Sequence, residues 1–234
     1  MSKLLWDQVG ERFGEAGVDQ GVLYVYGTGA FNPGVAWNGL TSVNEAPTGG
    51  EPSPFYADNR KYIELMSEEE YAGSIGCFTF PPEFHACLGE VEIAPGMIIA
   101  QQTHKMFAFS YRTKIINDTD GLDHGFKIHL VYNALAGVAS RDHATMNESP
   151  ELEEISFDFT TTKVDVTGGK PTSHLVLDSR NFTEATLPKL QAIMDKLYGK
   201  NAVVGTGTVQ APQFPAVEPK ILLPDEIAAI LKAA

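Results

Sequence analysis

The 234-residue sequence lacks a long apolar run, because no stretch approaches the about 20 consecutive apolar residues that a membrane-spanning helix needs. The first residues, MSKLLWDQVGERFGEAG, also lack the continuous apolar segment and the small-residue cleavage site of a signal peptide. We therefore expect no membrane segment and a chain that is made and folded in a cytoplasm.

Cysteine is scarce, with only Cys77 and Cys87 in the whole sequence. A chain of this length can bury a sizeable core without a covalent crosslink. We expect both cysteines to be free thiols with no redox or metal-binding role.

Basic residues are few, since 17 Lys and Arg side chains face 30 Asp and Glu side chains and the formal net charge is -13. A field of this sign repels nucleic acid and acidic membrane surfaces. The composition therefore argues against adhesive binding to DNA.

Period-two alternation is the clearest positive pattern, and it predicts a long hairpin in the middle of the chain. In KMFAFSYRTKI, Phe107, Phe109 and Tyr111 alternate with smaller or polar residues, and FKIHLVY alternates in the same way after the polar turn NDTDGLDHG. Other segments typical of strands are GVLYVYG, VAWNGLTSV, IGCFTF, EEISFDFTTTKVDV and SHLVLD. Six to eight short strands favour a mainly β sandwich or barrel over a parallel α/β sheet.

Three segments predict helices. Ser67 and Glu70 form a capping box at the start of SEEEYAG, which predicts a short helix. TLPKLQAIMDKLYG carries an apolar stripe that ends before Gly199, and LLPDEIAAILKAA is amphipathic. We expect the second helix to lie across a sheet and the third to end a C-terminal arm.

No motif predicts catalysis. The glycine-rich GTGAFNPG has Asn32 where a dinucleotide fingerprint needs glycine, and it lacks the Gly-Lys-Ser/Thr of a phosphate loop. The turn containing Asp118, Asp120 and Asp123 is either a solvated hairpin tip or a weak cation site. We expect no enzyme activity, no cofactor and no metal.

Several segments together closely resemble the major tail tube protein of long-tailed bacteriophages with flexible, non-contractile tails. They occur in the same order and spacing from about Gly21 to Gly199, and they are GVAWNGLTSVNEAPTGGEPSPFYADNRKYIELMSEEEYAGSIGCFTFPPEF, APGMIIAQQTHKMFAFSYRT, DTDGLDHGFKIHLVYNA and FTTTKVDVTGGKPTSHLVLDS.

The resemblance implies a tail-tube-type β-sandwich or barrel with a flanking helix, extended loops and a terminal arm. It implies hexameric rings that stack into a hollow tube in the virion tail, assembled in the host cytoplasm. Its implied partners are other copies of the chain, a tape-measure protein, and tail-tip and tail-terminator proteins. DNA is expected to pass through the lumen without specific binding.

On this basis we expect an N-terminal arm at residues 1–20, a β-domain at 21–199 and a C-terminal arm at 200–234 that bridges rings. Residues 44–62 are predicted to form a long loop held by a neighbouring subunit. The expected inter-subunit contacts are Trp37, Tyr56, Asp58, Arg60, Ile227 and Leu231. The expected lumen-facing residues are Ser110, Arg112, Lys114, Lys127 and His129.

Two alternatives to the tube remain. A carbohydrate-binding β-sandwich would use Trp37, Tyr56 and Tyr62 as exposed stacking platforms. An acidic hydrolase of β fold would need two close carboxylates in a deep pocket.

Overall fold

The structure is a computed structural model that describes residues 3–141, 143, 145, 152–201, 203–204, 212–214 and 216–233. The described strands are β1 (Phe13–Val25), β2 (Val35–Trp37), β3 (Leu40–Glu45), β4 (Thr48–Gly49), β5 (Pro52–Ala57), β6 (Arg60–Met66), β7 (Glu69–Glu70), β8 (Ala72–Cys77), β9 (Val91–Ala94), β10 (Met97–Ile99), β11 (Phe107–Asn117), β12 (Gly121–Ala136), β13 (Ile155–Thr161), β14 (His174–Asp178), β15 (Val203–Val204) and β16 (Pro212–Phe214). The described α-helices are α1 (Leu187–Tyr198) and α2 (Pro224–Lys232), and short 3-10 turns lie at Pro82–Ala86 and Ser179–Asn181. None of these helices is long and apolar enough to cross a membrane.

One antiparallel sheet organises the fold, in the order β2-β1-β11-β12-β13-β8-β3, with β14 pairing to β12. The first and last strands of this order, β2 and β3, are separated in the chain by only Asn38 and Gly39. The sheet therefore has to curl until its two edges meet. Gly39 has a φ of +79° at this corner, a conformation that favours glycine.

The two faces of the sheet are buried against different partners. On one face, aromatic and aliphatic side chains from six strands and the first 3-10 turn form what we call the strand core. Its buried members are Leu23, Val25, Trp37, Ile75, Cys77, Phe84, Cys87, Phe107, Phe109, Tyr111, Val131, Ala134, Ala136, Phe157 and Phe159.

The other face is covered by the helices, and we call this layer the helix core. Its buried members are Val22, Tyr24, Ala108, Ile128, Leu130, Tyr132, Leu177, Leu190, Ile193, Leu197, Ile221, Leu222 and Ile227. The hydroxyl groups of Tyr24 and Tyr132 donate hydrogen bonds to the carbonyl oxygens of Leu197 and Leu222, at 2.7 and 2.9 Å. These bonds tie the segments that carry α1 and α2 to the sheet.

The mainly β architecture predicted from the alternation is confirmed. The long hairpin is present as β11 and β12, and the predicted helices near the C-terminus are present as α1 and α2. The segment VAWNGLTSV, predicted as one strand, is divided into β2 and β3 by the turn at Asn38 and Gly39.

The helix predicted at Ser67 is wrong. Glu69 and Glu70 instead form β7, paired with β4 through Gly49 and Thr48. A helix of one or two turns is marginal without packing partners. The adjacent β3–β8 pairing continues into this segment through a hydrogen bond from the Ala46 nitrogen to the Ala72 oxygen at 2.8 Å.

The long loop predicted at residues 44–62 is also wrong, because most of it is paired. Strands β5 and β6 form a hairpin whose two-residue turn consists of Asp58 and Asn59, both with positive φ (+50° and +61°). This is the pattern of a type I′ turn, in which Asn and Asp tolerate the left-handed conformation.

The expected arms are differently placed in the structure. Strand β1 begins at Phe13, so the expected boundary after residue 20 falls inside a strand that pairs with β11. Helix α2 packs back onto the helix core of its own chain, with Ile227 buried. The proline-rich spacer expected between residues 200 and 219 lies partly outside the described residues.

Candidate functional site

Trp37 lies in the strand core and is only 3% exposed. Its ring contacts Phe84, Phe109 and Phe157 at centroid distances of 4.7, 5.3 and 5.8 Å. Its indole nitrogen donates a hydrogen bond to the Thr79 carbonyl at 3.1 Å. With its surface used inside its own chain, Trp37 offers neither an inter-subunit contact nor a sugar-stacking platform.

Ile227 and Leu231, the two expected contacts on α2, also pack against their own chain. Ile227 is fully packed in the helix core, and Leu231 is partly buried against the same cluster. The Lys189 ammonium reaches the end of α2, where it donates a 3.0 Å hydrogen bond to the Leu231 carbonyl. The expected docking of α2 on a neighbour would require this packing to open.

Tyr56, Asp58 and Arg60, by contrast, lie together around the exposed turn of the β5–β6 hairpin. Every residue of both strands is exposed, and Tyr56 is 70% exposed. These three expected contacts are therefore free of the chain's own core and are grouped at one tip.

Large apolar side chains lie on both faces of this hairpin. Phe55 is paired with Ile63 on one face, and Met66 lies on the opposite face and is 72% exposed. Tyr62, which lies at an irregularity in the pairing, is 77% exposed. A hairpin whose two faces are both apolar and both in solvent is marginal alone, and contiguous exposed apolar surface marks interaction sites. The sequence predicts the contacts at the tip but not this apolar surface, because its pattern predicts a loop here.

The hairpin continues a ladder that starts in the main sheet. The ladder runs outward from β3 and β8 through β4 and β7, and the Ser67 nitrogen then donates a 3.2 Å hydrogen bond to the Glu51 carbonyl. Gly49 and Gly50, with φ of +81° and +69°, lie at the junction between β4 and β5. We call residues 46–71 the hairpin arm. Beyond the glycines, the six residues of β5 span about 20 Å at about 3.3 Å per residue.

The five expected lumen-facing residues do not share one surface. Ser110 and His129 are buried. In the β11–β12 register Arg112 is opposite Ile128 and Thr113 is opposite Lys127. Because side chains alternate along a strand, Arg112 and Lys114 point to the helix-core side, whereas Lys127 and His129 point to the other side.

Two basic side chains of this hairpin, Arg112 and Lys127, are paired with acidic groups on β1. Arg112 makes a bidentate pair with Asp19, with both N–O distances at 2.7 Å, and this pair lowers the pKa of the Asp19 carboxyl. Lys127 is paired with Glu15. Burial raises the Glu15 pKa, but hydrogen bonds from Lys127 and Thr113 outweigh it, so the net pKa is lowered. The positive charges of Arg112 and Lys127 are thus balanced within the chain.

The acidic turn between β11 and β12 does not gather its carboxylates around a cation. Asp118 accepts a 3.0 Å hydrogen bond from the Gly10 nitrogen, and Asp120 contacts the His124 ring at 2.8 Å. Within the described residues, the one group of side chains spaced for a metal is Glu45, His129 and His174. No motif spacing could have shown it, because the three residues lie on β3, β12 and β14.

No protein-family model and no curated protein sequence matches the chain. Among solved structures, the chain is similar to a component of the anti-feeding prophage baseplate, at 11% identity and a TM-score of 0.39, over 74% of this chain and 97% of that one. It is similar to the sheath/tube terminator of an extracellular contractile injection system, at 9% identity and a TM-score of 0.36, over 68% and 93%. A chain of the sheath-tube complex of such a system matches at 11% identity and a TM-score of 0.31, over 68% and 88%. At such identities and TM-scores the likeness says nothing about activity or partners.

Proposed function

We propose that this protein is the tail tube subunit of a long-tailed, non-contractile phage. In this proposal, copies join in hexameric rings that stack into a hollow tube, through which DNA leaves the virion. The tape-measure, tail-tip and tail-terminator proteins would be its other partners. The proposal rests on the residue-level resemblance described above and on one structural feature, the hairpin arm.

The hairpin arm supports assembly because its own chain leaves it uncovered. Phe55, Ile63 and Leu65 lie on one face and Met66 lies on the other, and Tyr62 is exposed beside the turn. These side chains lose water contact only if another molecule packs on them. Burial of apolar area at about 25 cal/mol per Å² is the main driving force for such association. A second copy of this chain is the partner that a ring or a stack supplies.

The N-terminal segment is a second surface that the chain leaves uncovered. In this proposal the N-terminal segment, and not the C-terminal arm, bridges one ring to the next. Its exposed apolar residues are Leu4, Leu5, Trp6 and Val9. The segment is held to the β11–β12 turn at Gly10, whose nitrogen donates a hydrogen bond to Asp118 and whose carbonyl accepts one from Asn117. A segment anchored at one end and apolar at the other suits a tether to the next ring.

Passage of DNA without sticking is supported by charge. The chain carries a formal net charge of -13, and the Arg112 and Lys127 side chains are paired with carboxylates of the same chain. A wall of this sign repels a duplex instead of holding it.

Negative-stain electron microscopy of the concentrated protein, with light scattering of the same sample, tests the proposal. Rings or hollow tubes are expected, and a strict monomer at all concentrations would contradict it. The role of the hairpin arm is tested by replacing Pro52–Met66 with a two-residue glycine turn. Glu51 and Ser67 are already within hydrogen-bond distance, so the shortened chain can close without disturbing β4 and β7.

The shortened protein is expected to keep the circular dichroism spectrum of the core and to lose rings and tubes. A milder pair of variants controls for general effects of an added charge: Tyr62→Asp in the arm and Val138→Asp at an exposed apolar residue outside it. Assembly should fail for the first and persist for the second. Equal assembly of all three variants would remove the arm from the interface.

A further inference from the structure

Three side chains from three separate strands converge at one edge of the strand core. The His129 Nδ1 atom lies 3.4 Å from Glu45 Oε1 and 3.3 Å from His174 Nε2, and Glu45 Oε1 lies 3.9 Å from the same His174 atom. The three distances involve one atom of each residue, so the three donor atoms form a single triangle.

This triangle has the dimensions of a zinc site. Ligands bound to Zn²⁺ at about 2.0–2.1 Å in tetrahedral geometry are about 3.3–3.4 Å apart. Two of the observed distances, 3.3 and 3.4 Å, have this value, and the third, 3.9 Å, exceeds it by about half an ångström. Two imidazoles and one carboxylate are also a common donor set for zinc, with a fourth position left for water.

The surrounding hydrogen bonds orient His129 for this role. Thr113 Oγ1 donates a 2.6 Å hydrogen bond to Glu15, so its oxygen can accept from the Nε2–H of His129 at 3.1 Å. A proton on Nε2 leaves the Nδ1 lone pair directed at Glu45 and His174. Such a partner on the far ring nitrogen is typical of metal-binding histidines.

The other two donors are held in a similar way. The Tyr111 hydroxyl donates a 2.8 Å hydrogen bond to Glu45 Oε1, which positions the carboxylate. The Tyr71 ring stacks on His174 at a centroid distance of 4.3 Å. Tyr111 stacks on His129 at 4.6 Å, so both imidazoles are fixed by aromatic faces.

The two imidazoles are shielded from solvent, with the His129 side chain buried and the His174 side chain mostly buried. Glu45 itself is partly exposed, which leaves a route for an ion from solvent.

We propose that Glu45, His129 and His174 form a zinc site that fastens β3 to β12 and β14. In the sheet order β3 and β12 are separated by β13 and β8, so the ion would bridge parts of the curled sheet that no backbone ladder joins. The site is independent of tube assembly, because all three ligands belong to one chain.

The test is a calorimetric titration of ZnCl₂ into the full-length protein after treatment with a chelator, with Co²⁺ absorption as a spectroscopic probe of tetrahedral coordination. One Zn²⁺ per chain is expected, together with a higher thermal midpoint in the zinc-loaded protein. Glu45→Gln and His174→Ala should each weaken binding by more than about 100-fold, since even loss of an outer hydrogen-bond partner costs about 10–100-fold. Tyr111→Phe should weaken it by about 10-fold.

His85→Ala is the matched control, because His85 is paired with Glu90 outside the cluster. Circular dichroism of each variant without zinc shows whether it is folded, and Glu45→Gln keeps the shape of a partly exposed side chain. Absence of stoichiometric zinc binding to the wild-type protein would overturn the proposal. So would equal zinc affinity in wild-type, Glu45→Gln and His174→Ala proteins.

Discussion

Replacing Trp37 with alanine separates a core role from an interface role for this residue. The indole fills the middle of an aromatic group formed by Phe84, Phe109 and Phe157 and is 3% exposed. Its removal leaves a cavity that the surrounding strands close only partly.

The size of the effect follows from these contacts. Loss of a buried Phe or Trp side chain to alanine costs about 3–5 kcal/mol. The Thr79 carbonyl also loses its indole donor, which adds about 1 kcal/mol. We therefore expect the free energy of unfolding to fall by about 4–6 kcal/mol, a large part of the about 5–15 kcal/mol that stabilises a typical protein.

Urea denaturation followed by far-UV circular dichroism measures this change in the isolated subunit. Trp37→Phe should lose less, because it keeps part of the aromatic packing, and Tyr56→Ala should stay within about 0.5 kcal/mol of wild type, since Tyr56 is exposed. If Trp37→Ala unfolds at the wild-type urea concentration but no longer forms rings, Trp37 is an interface residue and the core assignment is wrong.

Two further predictions concern the core. Burial raises the pKa of the Cys77 thiol to about 11 and that of the Cys87 thiol to about 12. A thiol reagent at pH 8 should therefore label neither cysteine in the native protein and both cysteines in urea. Rapid labelling of the native protein would contradict the burial of the two thiols. Ile227→Ala should lower the free energy of unfolding by about 2–5 kcal/mol in urea denaturation, because α2 is part of the helix core. An unchanged free energy would show that α2 is not packed on its own chain.

Local patterns in the sequence are sufficient to predict a helix or strand when one face of that element packs against the core. The stripe of Leu190, Met194 and Leu197 predicts α1, and the alternation around Phe109 predicts β11, because in both cases burial imposes a single period. The turn from Asn117 to Gly121 is also visible locally, since it consists of turn-forming residues.

The hairpin arm could not be predicted in this way, because neither of its faces meets the chain's own core. Its residues obey no inside-outside alternation, and the capping box at Ser67 offered a competing local structure. The residues on either side of the arm pair as β3 and β8, and this pairing is continued into the arm by β4 and β7. It is this continued pairing that makes the segment a two-stranded ribbon.

The separation of the expected lumen-facing residues onto different surfaces has another cause. Alternation correctly separates the two faces within β11 and within β12, but it does not relate one strand to the other. That relation is the register, which places Arg112 opposite Ile128. A register displaced by one residue would have put Arg112 and His129 on the same face. The register between the two strands therefore decides which of their residues share a surface, and neither strand's own sequence pattern gives it.

The hairpin arm and the proposed zinc site meet at the end of β3. Glu45 is the last residue of that strand, and the arm begins directly after it. On the returning side, Tyr71 precedes β8 and stacks on His174. The two strands that carry the arm are thus held at its root by the same carboxylate and aromatic ring that complete the cluster. Gly49 and Gly50, which lie farther along the arm, allow the ribbon to bend. A rigid root would therefore be needed to fix the direction in which the apolar tip of the arm faces a neighbouring subunit.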